Sequence, residues 1–422
     1  IDASKYAHSH SYKWIPYEVT AYVVESLVKC GSLINDSFLV EKAKKQIDYV
    51  LEHPDSDGYL GPKVLKENRW WYRWPHSVFF RAMAAYHAAT GDQRVLIALT
   101  KHYISETSPH TGRRDICNIE AMLWTYAMTG DRRLLGLAIK AFYNYDEIYH
   151  SNSTTMEGML SDDRIDEHGV TINVICMLAA ILYNYTGDKK QLAAAVNVFR
   201  KLERDQVLID GVCSGCEALQ GNDPMDSHEA CDATDYTWAL GYLLMVSGNA
   251  AYADKIERAV FNGAIGGISS DFKSFQYNSC ANQVILDRTA NHNEFMRGDA
   301  SMKYGPNPHT ECCAGNINRF MPNYVSRMWM EDGRGGLVAA LYGPSRVTTN
   351  VGDSYQEVTV IQETTYPFSE TIEFQVRTNK PVSFPFWLRI PAWCKRASIK
   401  VNGNQLDKDL KPGTFFKLER VF

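Results

Sequence analysis

Four segments of this chain repeat one design, and that design limits the fold more than any other feature. "AAYHAATGDQRVLIAL" (from Ala84), "WTYAMTGDRRLLGLAIKAF" (from Trp124), "AAILYNYTGDKKQLAAAVNVF" (from Ala179) and "LGYLLMVSGNAAYADKIERAVF" (from Leu240) each join two helical segments. The first segment is broadly apolar; in the second, apolar residues recur three and four apart, which is the helix period. Between them stands Thr-Gly-Asp or Ser-Gly-Asn. Glycine suits the left-handed residue that ends a helix, and the Asp or Asn after it can cap the next one. "VESLVKCGSLINDSFLVEKAKKQIDYVL", from Val24, is a degenerate version of the same unit. The turn glycines fall at Gly91, Gly130, Gly187 and Gly248, an irregular spacing that excludes a short-period solenoid. Helical hairpins with unequal loops are expected instead, and a chain of them closing on itself is an α/α toroid. Its long loops would gather at one end and form a cleft.

The pattern changes after about Trp329. "QEVTVIQETTYPF", "ETIEFQVRTNKPV", "PFWLRIPAW" and "RASIKVNGNQL" are β-rich runs separated by turn signals such as Asn402-Gly403, as in an antiparallel sandwich. The expected division is a helical domain over residues 1–330 and a β-sandwich domain over 331–422. The chain opens at Ile1 and stops at "KLERVF", as expected of a piece of a longer protein trimmed at both ends.

With 45% hydrophobic and 22% charged residues, the chain can bury a substantial core. Its net charge of −5, without any lysine or arginine run, argues against nucleic acid and anionic membrane surfaces as partners. No window approaches the roughly 18 uninterrupted apolar residues of a membrane span. The longest, "VICMLAAILYNY", reads as a buried helix. Aromatic residues cluster in "NRWWYRWPH", Asn68 to His76, either as a platform for the apolar faces of sugars or as a wedge between helices.

The chemistry concentrates in "HTECCAGNINRF", His309 to Phe320. Neighbouring residues stand about 3.8 Å apart, too close for an easy mutual disulfide, so Cys312 and Cys313 call for another partner. Of the ten cysteines, Cys30, Cys117 and Cys176 lie on apolar helix faces and read as small buried hydrophobes. Cys394 carries no usable signal, and Cys280, in "YNSCANQ", is ambiguous. The other five fall in two groups: the vicinal pair, and "GVCSGCEALQGNDPMDSHEACDATDY", which holds Cys213, Cys216, Glu217, His228, Glu229 and Cys231. Two segments that each offer two close ligands are how tetrahedral zinc sites are assembled. One assignment is a closed four-thiolate site of Cys213, Cys216, Cys312 and Cys313. Another is a mixed site of Glu229, Cys231, Cys312 and Cys313. The third is no metal, only buried thiols or a disulfide between the groups.

Taken in order, "HGVTINVICMLAAILYNYTGD", "SGCEAL", "DPMDSHEACDATDY", "YADKIERAVFNG", "FQYNS", "HTECCAGNINRF", "LVAALYGPSRV" and "FWLRIPAW" resemble glycoside hydrolase family 127, whose prototype is a bacterial β-L-arabinofuranosidase. The resemblance runs from about residue 10 to the end. It implies an (α/α)6 barrel followed by β-sandwich domains, and a retaining mechanism with a zinc-bound cysteine thiolate as nucleophile. Carried over by position, it implies zinc ligands at Glu229, Cys231, Cys312 and Cys313, with Cys312 the nucleophile and Glu217 the acid/base. His168, Glu257 and Tyr277 match substrate-contacting positions, and His76 does so loosely. His309, Glu311, His228 and Asp226 would stand behind the ligands and orient them.

Three departures bear on the sugar. Ala314-Gly315 replaces the proline usual after the cysteine pair, "RWPHSVFF" replaces a histidine-containing helix motif, and the gap from Glu217 to Glu229 is shorter than in the prototype. The activity implied is exo-acting release of a terminal furanose, β-linked L-arabinofuranose, from oligosaccharides or polysaccharides of plant type. The same mechanism on another pectin branch sugar, aceric acid, is the near alternative; a non-catalytic glycan-binding toroid with structural zinc is the distant one. A retaining glycosidase needs a nucleophile on one face of the anomeric carbon and an acid beside the leaving oxygen. A free thiol, with a pKa near 8.5, holds little thiolate at neutral pH, whereas bound zinc deprotonates it. Glu217 must begin protonated, so its neighbours are expected to be apolar or anionic. Such an enzyme favours a periplasmic or secreted location over a cytoplasmic one. Oligomeric state has no signal in the sequence.

Overall fold

The computed structural model describes residues 15–67, 73–106, 110, 112–150, 152–283, 302–306 and 311–422. His309 and the aromatic residues Trp70, Trp71 and Tyr72 lie outside that set.

Among the described residues, five helical hairpins follow one another. They are α1 (Ile15–Ile34) with α2 (Ser37–Glu52), α3 (Trp74–Thr90) with α4 (Arg94–Ser105), and α5 (Asn118–Thr129) with α6 (Arg132–Ile148). Then come α7 (Gly169–Thr186) with α8 (Lys189–Asp205) and α9 (Ala230–Ser247) with α10 (Ala251–Arg258). A last helical stretch comprises α11 (Glu311–Asn316) and α12 (Phe320–Val325), joined by a single tighter turn.

The hairpin turns obey the local chemistry read from the sequence. Gly91, Gly130, Gly187 and Gly248 all take left-handed φ values between 63° and 73° and close the helix before them. The next residue caps the helix that follows: the Asp131 and Asp188 side chains accept from the amides of Arg133 and Lys190. Each such cap is worth about 1 kcal/mol.

The first helix of each hairpin packs on the first helix of the next: α1 on α3, α3 on α5, α5 on α7, α7 on α9, then α9 on α11 and α12, and α11 back on α1. This is a closed inner ring of six helical positions. The second helices lie outside and are amphipathic, while α7 and α9 are buried over most of their length. By length and mean hydropathy α7 is apolar enough to cross a membrane, yet 78% of it is enclosed by its neighbours in the ring.

A two-residue pairing within the helical part joins β1 (His228–Glu229) to β2 (Asn278–Ser279). The main strands are β3 (Trp329–Glu331), β4 (Leu337–Ala339), β5 (Ser345–Val351), β6 (Gln356–Glu363), β7 (Glu373–Thr378) and β8 (Ser383–Ile390). A short ribbon of β9 (Lys400–Val401) and β10 (Asn404–Gln405) precedes β11 (Thr414–Val421). One sheet has the order β11-β8-β4-β3 and the other β5-β6-β7. Every pairing is antiparallel except β4 with β8. Val351, Val358, Val360, Phe384, Phe386 and Leu388 alternate inward and fill the space between the sheets, so the β-rich part is a small sandwich on its own core.

Candidate active site

The chemistry collects where inner-ring helices begin. Glu229 is the last residue before α9 and Cys231 lies in its first turn; Cys312 and Cys313 lie in the first turn of α11. The β1–β2 pairing fixes the approach of Glu229 to its helix.

The rest of "CCAGNINRF" anchors α11. Arg319, fully buried, donates through Nε to Glu25 of α1 (2.8 Å) and through Nη1 to Asp235 of α9 (3.3 Å). The Asn316 side-chain amide donates to Asp235 Oδ2 (2.8 Å). A buried charge survives only when paired and hydrogen-bonded, so this network locks the cysteine helix between α1 and α9. Gly315 lets it come close: a Cβ there would sit 3.0 Å from Cβ of Tyr22 and 3.1 Å from the carbonyl oxygen of Val19.

The result is a tight group of four acidic donors. Cys231 Sγ stands 3.1 Å from Cys313 Sγ, and Glu229 Oε1 lies 3.3 Å from Cys313 Sγ and 3.9 Å from Cys312 Sγ. All four ligand atoms fall within 4.8 Å of one another, as a metal-binding group requires. Burial pushes the Glu229 carboxyl and the Cys231 and Cys313 thiols well above their ordinary pKa values, and mutual repulsion adds to it. Asp232 behaves likewise; it is buried with no hydrogen bond to either oxygen, in space kept open by two glycines. A Cβ on Gly169 would run into its carboxylate, and one on Gly215 would lie 2.8 Å from Oδ2. Packing this many acids together out of water is costly unless a cation joins them. The donor set therefore fits a divalent metal. Cys312 is the one donor of the four that is not fully buried.

Glu217 closes the site from the other side. Its backbone is left-handed (φ 74°), uncommon for a residue with a Cβ, and two contacts hold it there. Its N–H donates to Glu229 Oε2 (3.3 Å), and its carbonyl accepts from Gly169 N–H (2.8 Å). Tyr277 Oη donates to Glu217 Oε1 (2.6 Å), and His168 Nε2 lies 2.9 Å from Oε2. His168 caps α7: the Thr171 amide points at Nδ1 (3.3 Å), which places the ring proton on Nε2, facing Glu217. Burial and the neighbouring Arg114 cation hold its pKa below the usual histidine range, so the ring is a neutral donor.

The description "Beta-L-arabinofuranosidase, GH127 catalytic domain" matches residues 19–326, and that of the GH127 middle domain matches residues 336–422.

The chain belongs to glycoside hydrolase family 127.

It is therefore a glycoside hydrolase, acting on glycans. A non-reducing end β-L-arabinofuranosidase of Bifidobacterium longum is 23% identical over an alignment 465 positions long, covering 96% of this chain and 67% of that protein. A GH127 β-L-arabinofuranosidase from Geobacillus stearothermophilus T6 superposes with a TM-score of 0.78 at 21% identity, over all of this chain and 72% of the other. A further solved glycoside hydrolase gives 0.79 at 20% identity, covering 96% and 71%. These likenesses agree on the helical ring followed by a β-rich unit.

Not every residue singled out from this family 127 sequence reaches the cluster. Glu229, Cys231, Cys312, Cys313, Glu217, His168 and Tyr277 converge. Glu257 stands at the junction of the ring and the sandwich, where Arg389 of β8 donates to Oε1 and Tyr366 Oη donates to Oε2 (2.6 Å). His76 is buried beneath the turn at Gly61, its Nε2 2.7 Å from the Leu60 carbonyl oxygen, among the rings of Tyr59, Phe80 and His102. The four-thiolate arrangement is not formed. Cys213 is packed in the helical core, and Cys216 groups with Cys280 and Met302, its Sγ facing Asn278 Oδ1 (3.6 Å). Among the described residues no disulfide links the two groups. His228 turns from the donors toward Asp210 (3.0 Å), and Asp226 caps the amide of Asp223 (3.0 Å).

Two buried residues next to the cluster were not foreseen: Glu18, in the first turn of α1, and Arg114, just before α5. Their common signal was position, since each stands where an inner-ring helix begins.

Proposed function

We propose that this family 127 chain is an exo-acting, retaining glycosidase that removes a terminal β-linked L-arabinofuranose from plant-type glycans. In this reading Glu229, Cys231, Cys312 and Cys313 hold zinc, Cys312 is the nucleophile and Glu217 the acid/base. One observation carries it: the only incompletely buried donor, Cys312, shares its cluster with a glutamate, Glu229, that bonds the backbone of Glu217. Nucleophile and acid thus meet across one small space.

Zinc suits the donors. Three thiolates and one carboxylate at ordinary zinc distances would have edges of about 3.5–3.8 Å in a tetrahedron. Four of the six separations, 3.1–4.0 Å, straddle that range, and all six lie within 4.8 Å. When bound, zinc would keep the thiols deprotonated at neutral pH and balance the buried negative charge.

In the first step Cys312 Sγ forms a bond to the anomeric carbon as the glycosidic C–O bond breaks, and Glu217 gives its proton to the departing oxygen. In the second, Glu217 takes a proton from water, the water oxygen bonds the anomeric carbon, and the C–S bond breaks to return the thiolate. Two inversions give net retention. His168 and Tyr277 hold the two oxygens of Glu217 throughout. A tyrosine hydroxyl can donate or accept, so its contact serves both protonation states of the carboxyl.

The sugar is read from relatives whose names specify β-L-arabinofuranosidase. The test is turnover of an aryl β-L-arabinofuranoside by wild type and by Cys312→Ala. The variant should lose activity by at least about a thousandfold while keeping its fold, a barrier change of about 4 kcal/mol. Full activity in Cys312→Ala would remove the nucleophile assignment.

A further inference from the structure

Glu18 is not needed by the mechanism above, yet it is built into the same wall. It is 2% exposed. Its Oε1 accepts from Trp74 Nε1 and from Tyr22 Oη (3.0 Å), and Arg114 Nη1 stands 3.8 Å away. Arg114 continues the line: Nε donates to Thr171 Oγ1 (2.9 Å), and Nη2 lies 3.1 Å from the ring nitrogens of His168. His168 in turn bonds Glu217. An unbroken polar arc therefore runs from Glu217 through His168 and Arg114 to Glu18.

The arc ends in the first turn of α1, the helix on which the cysteine helix packs. Gly315, three residues on from the thiol, packs against the turn of α1 that holds Val19 and Tyr22. Each of these contacts to Glu18 ends on Oε1; among the described residues Oε2 receives none. Oε2 is therefore the Glu18 oxygen left open to a further partner.

We propose that Glu18 is a further sugar-contacting residue, whose Oε2 hydrogen-bonds one hydroxyl of the furanose held between Cys312 and Glu217. Arg114 is its positioning partner. The proposal rests on the glycosidase reading given above. A neutral hydroxyl matches this corner better than a sugar carboxylate, because the Cys312–Glu229 group already concentrates negative charge there. Arg114 is engaged by Glu18, Thr171 and His168.

The experiment compares wild type with Glu18→Ala on 4-nitrophenyl β-L-arabinofuranoside and on its 2-, 3- and 5-deoxy analogues. Losing a buried hydrogen bond to a sugar hydroxyl should lower kcat/KM on the parent sugar by about 10- to 100-fold. On one analogue, the one lacking the contacted hydroxyl, the same substitution should cost less than about threefold. Zinc content should not change. An equal loss on all four sugars, or no loss on the parent, overturns the proposal while leaving the glycosidase reading intact. A wild-type chain that cleaves none of the four refutes the arabinofuranosidase reading and this inference with it. Glu18 also braces Tyr22 and Trp74, so Glu18→Ala can fail to fold. Glu18→Asp then carries the comparison, since it keeps a carboxyl but withdraws it by one methylene. The same single analogue must again be the one spared, and a uniform loss again overturns the assignment.

Discussion

Replacing Glu257 by glutamine separates two roles for one residue. Sequence resemblance assigns Glu257 to the sugar; the fold sets it between the ring and the sandwich, 5% exposed, beside Arg389, itself 1% exposed. Arg389 donates to Glu257 and to Asp254 of α10, and its Nε donates to the Ala340 carbonyl oxygen (2.7 Å). Glutamine preserves the size and one acceptor but removes the charge. Taking one partner from a buried ion pair costs about 3–5 kcal/mol, chiefly because the remaining charge is stranded. Arg389 keeps Asp254 and the Ala340 carbonyl, so the lower end, about 3 kcal/mol, is expected. Tyr366 and Tyr324 each lose part of their acceptor as well. The assay is a urea titration of wild type and Glu257→Gln, paired with KM on an aryl arabinofuranoside. The expected result is an earlier unfolding midpoint with KM changed by less than about twofold, because the carboxylate faces Arg389 and not the thiol cluster. An unchanged midpoint with KM raised tenfold would refute this reasoning and return Glu257 to the substrate.

Two further outcomes follow from burial. Stripping the metal with a chelator at pH 7 should abolish activity and lower stability by about 4 kcal/mol or more, the linkage for a ligand present at a thousand times its Kd. Metal analysis should give about one zinc per chain; an unchanged melting temperature after complete removal would contradict the metal assignment. Burial, first among its causes, holds His76 at about 4 in the fold, below its usual value of 6.5. The unfolded chain therefore binds the extra proton, and the contribution of His76 is intact above about pH 6.5 and is lost as pH falls toward about 4. Moving from pH 7 to pH 5 should cost about 2 kcal/mol through this residue, and His76→Gln should flatten that slope in urea titrations. An unaltered slope would show that the ring titrates normally.

The hairpins were legible because their signals are local. A glycine that must turn left-handed and an aspartate that caps two residues later act within a few bonds, so Thr-Gly-Asp marks a hairpin wherever it recurs. The thiol and carboxylate donors were legible through resemblance, since "SHEAC" and "TECC" are short and rich in metal-binding side chains. Spacing alone left Cys213 and Cys216 as equal candidates. Packing separates them: Cys213 faces the helical core, and Cys216 faces Asn278 and the Cys280–Met302 pocket. Glu18, Arg114 and Glu257 were not legible in their present roles. Each depends on a partner far away in sequence, as Glu257 does on Arg389, 132 residues later.

The sequence alone determined that this chain would form helical hairpins, close them into a ring and end in strands, because turn chemistry and hydrophobic period are encoded over short distances. Ring closure decided the rest. Bringing the first turns of α1, α7, α9 and α11 to one end gathered Glu18, His168, Glu229, Cys231, Cys312 and Cys313 from positions spread over nearly three hundred residues. Buried charge then fixed their geometry, since Arg319 finds both carboxylate partners only when α1 and α9 flank the cysteine helix.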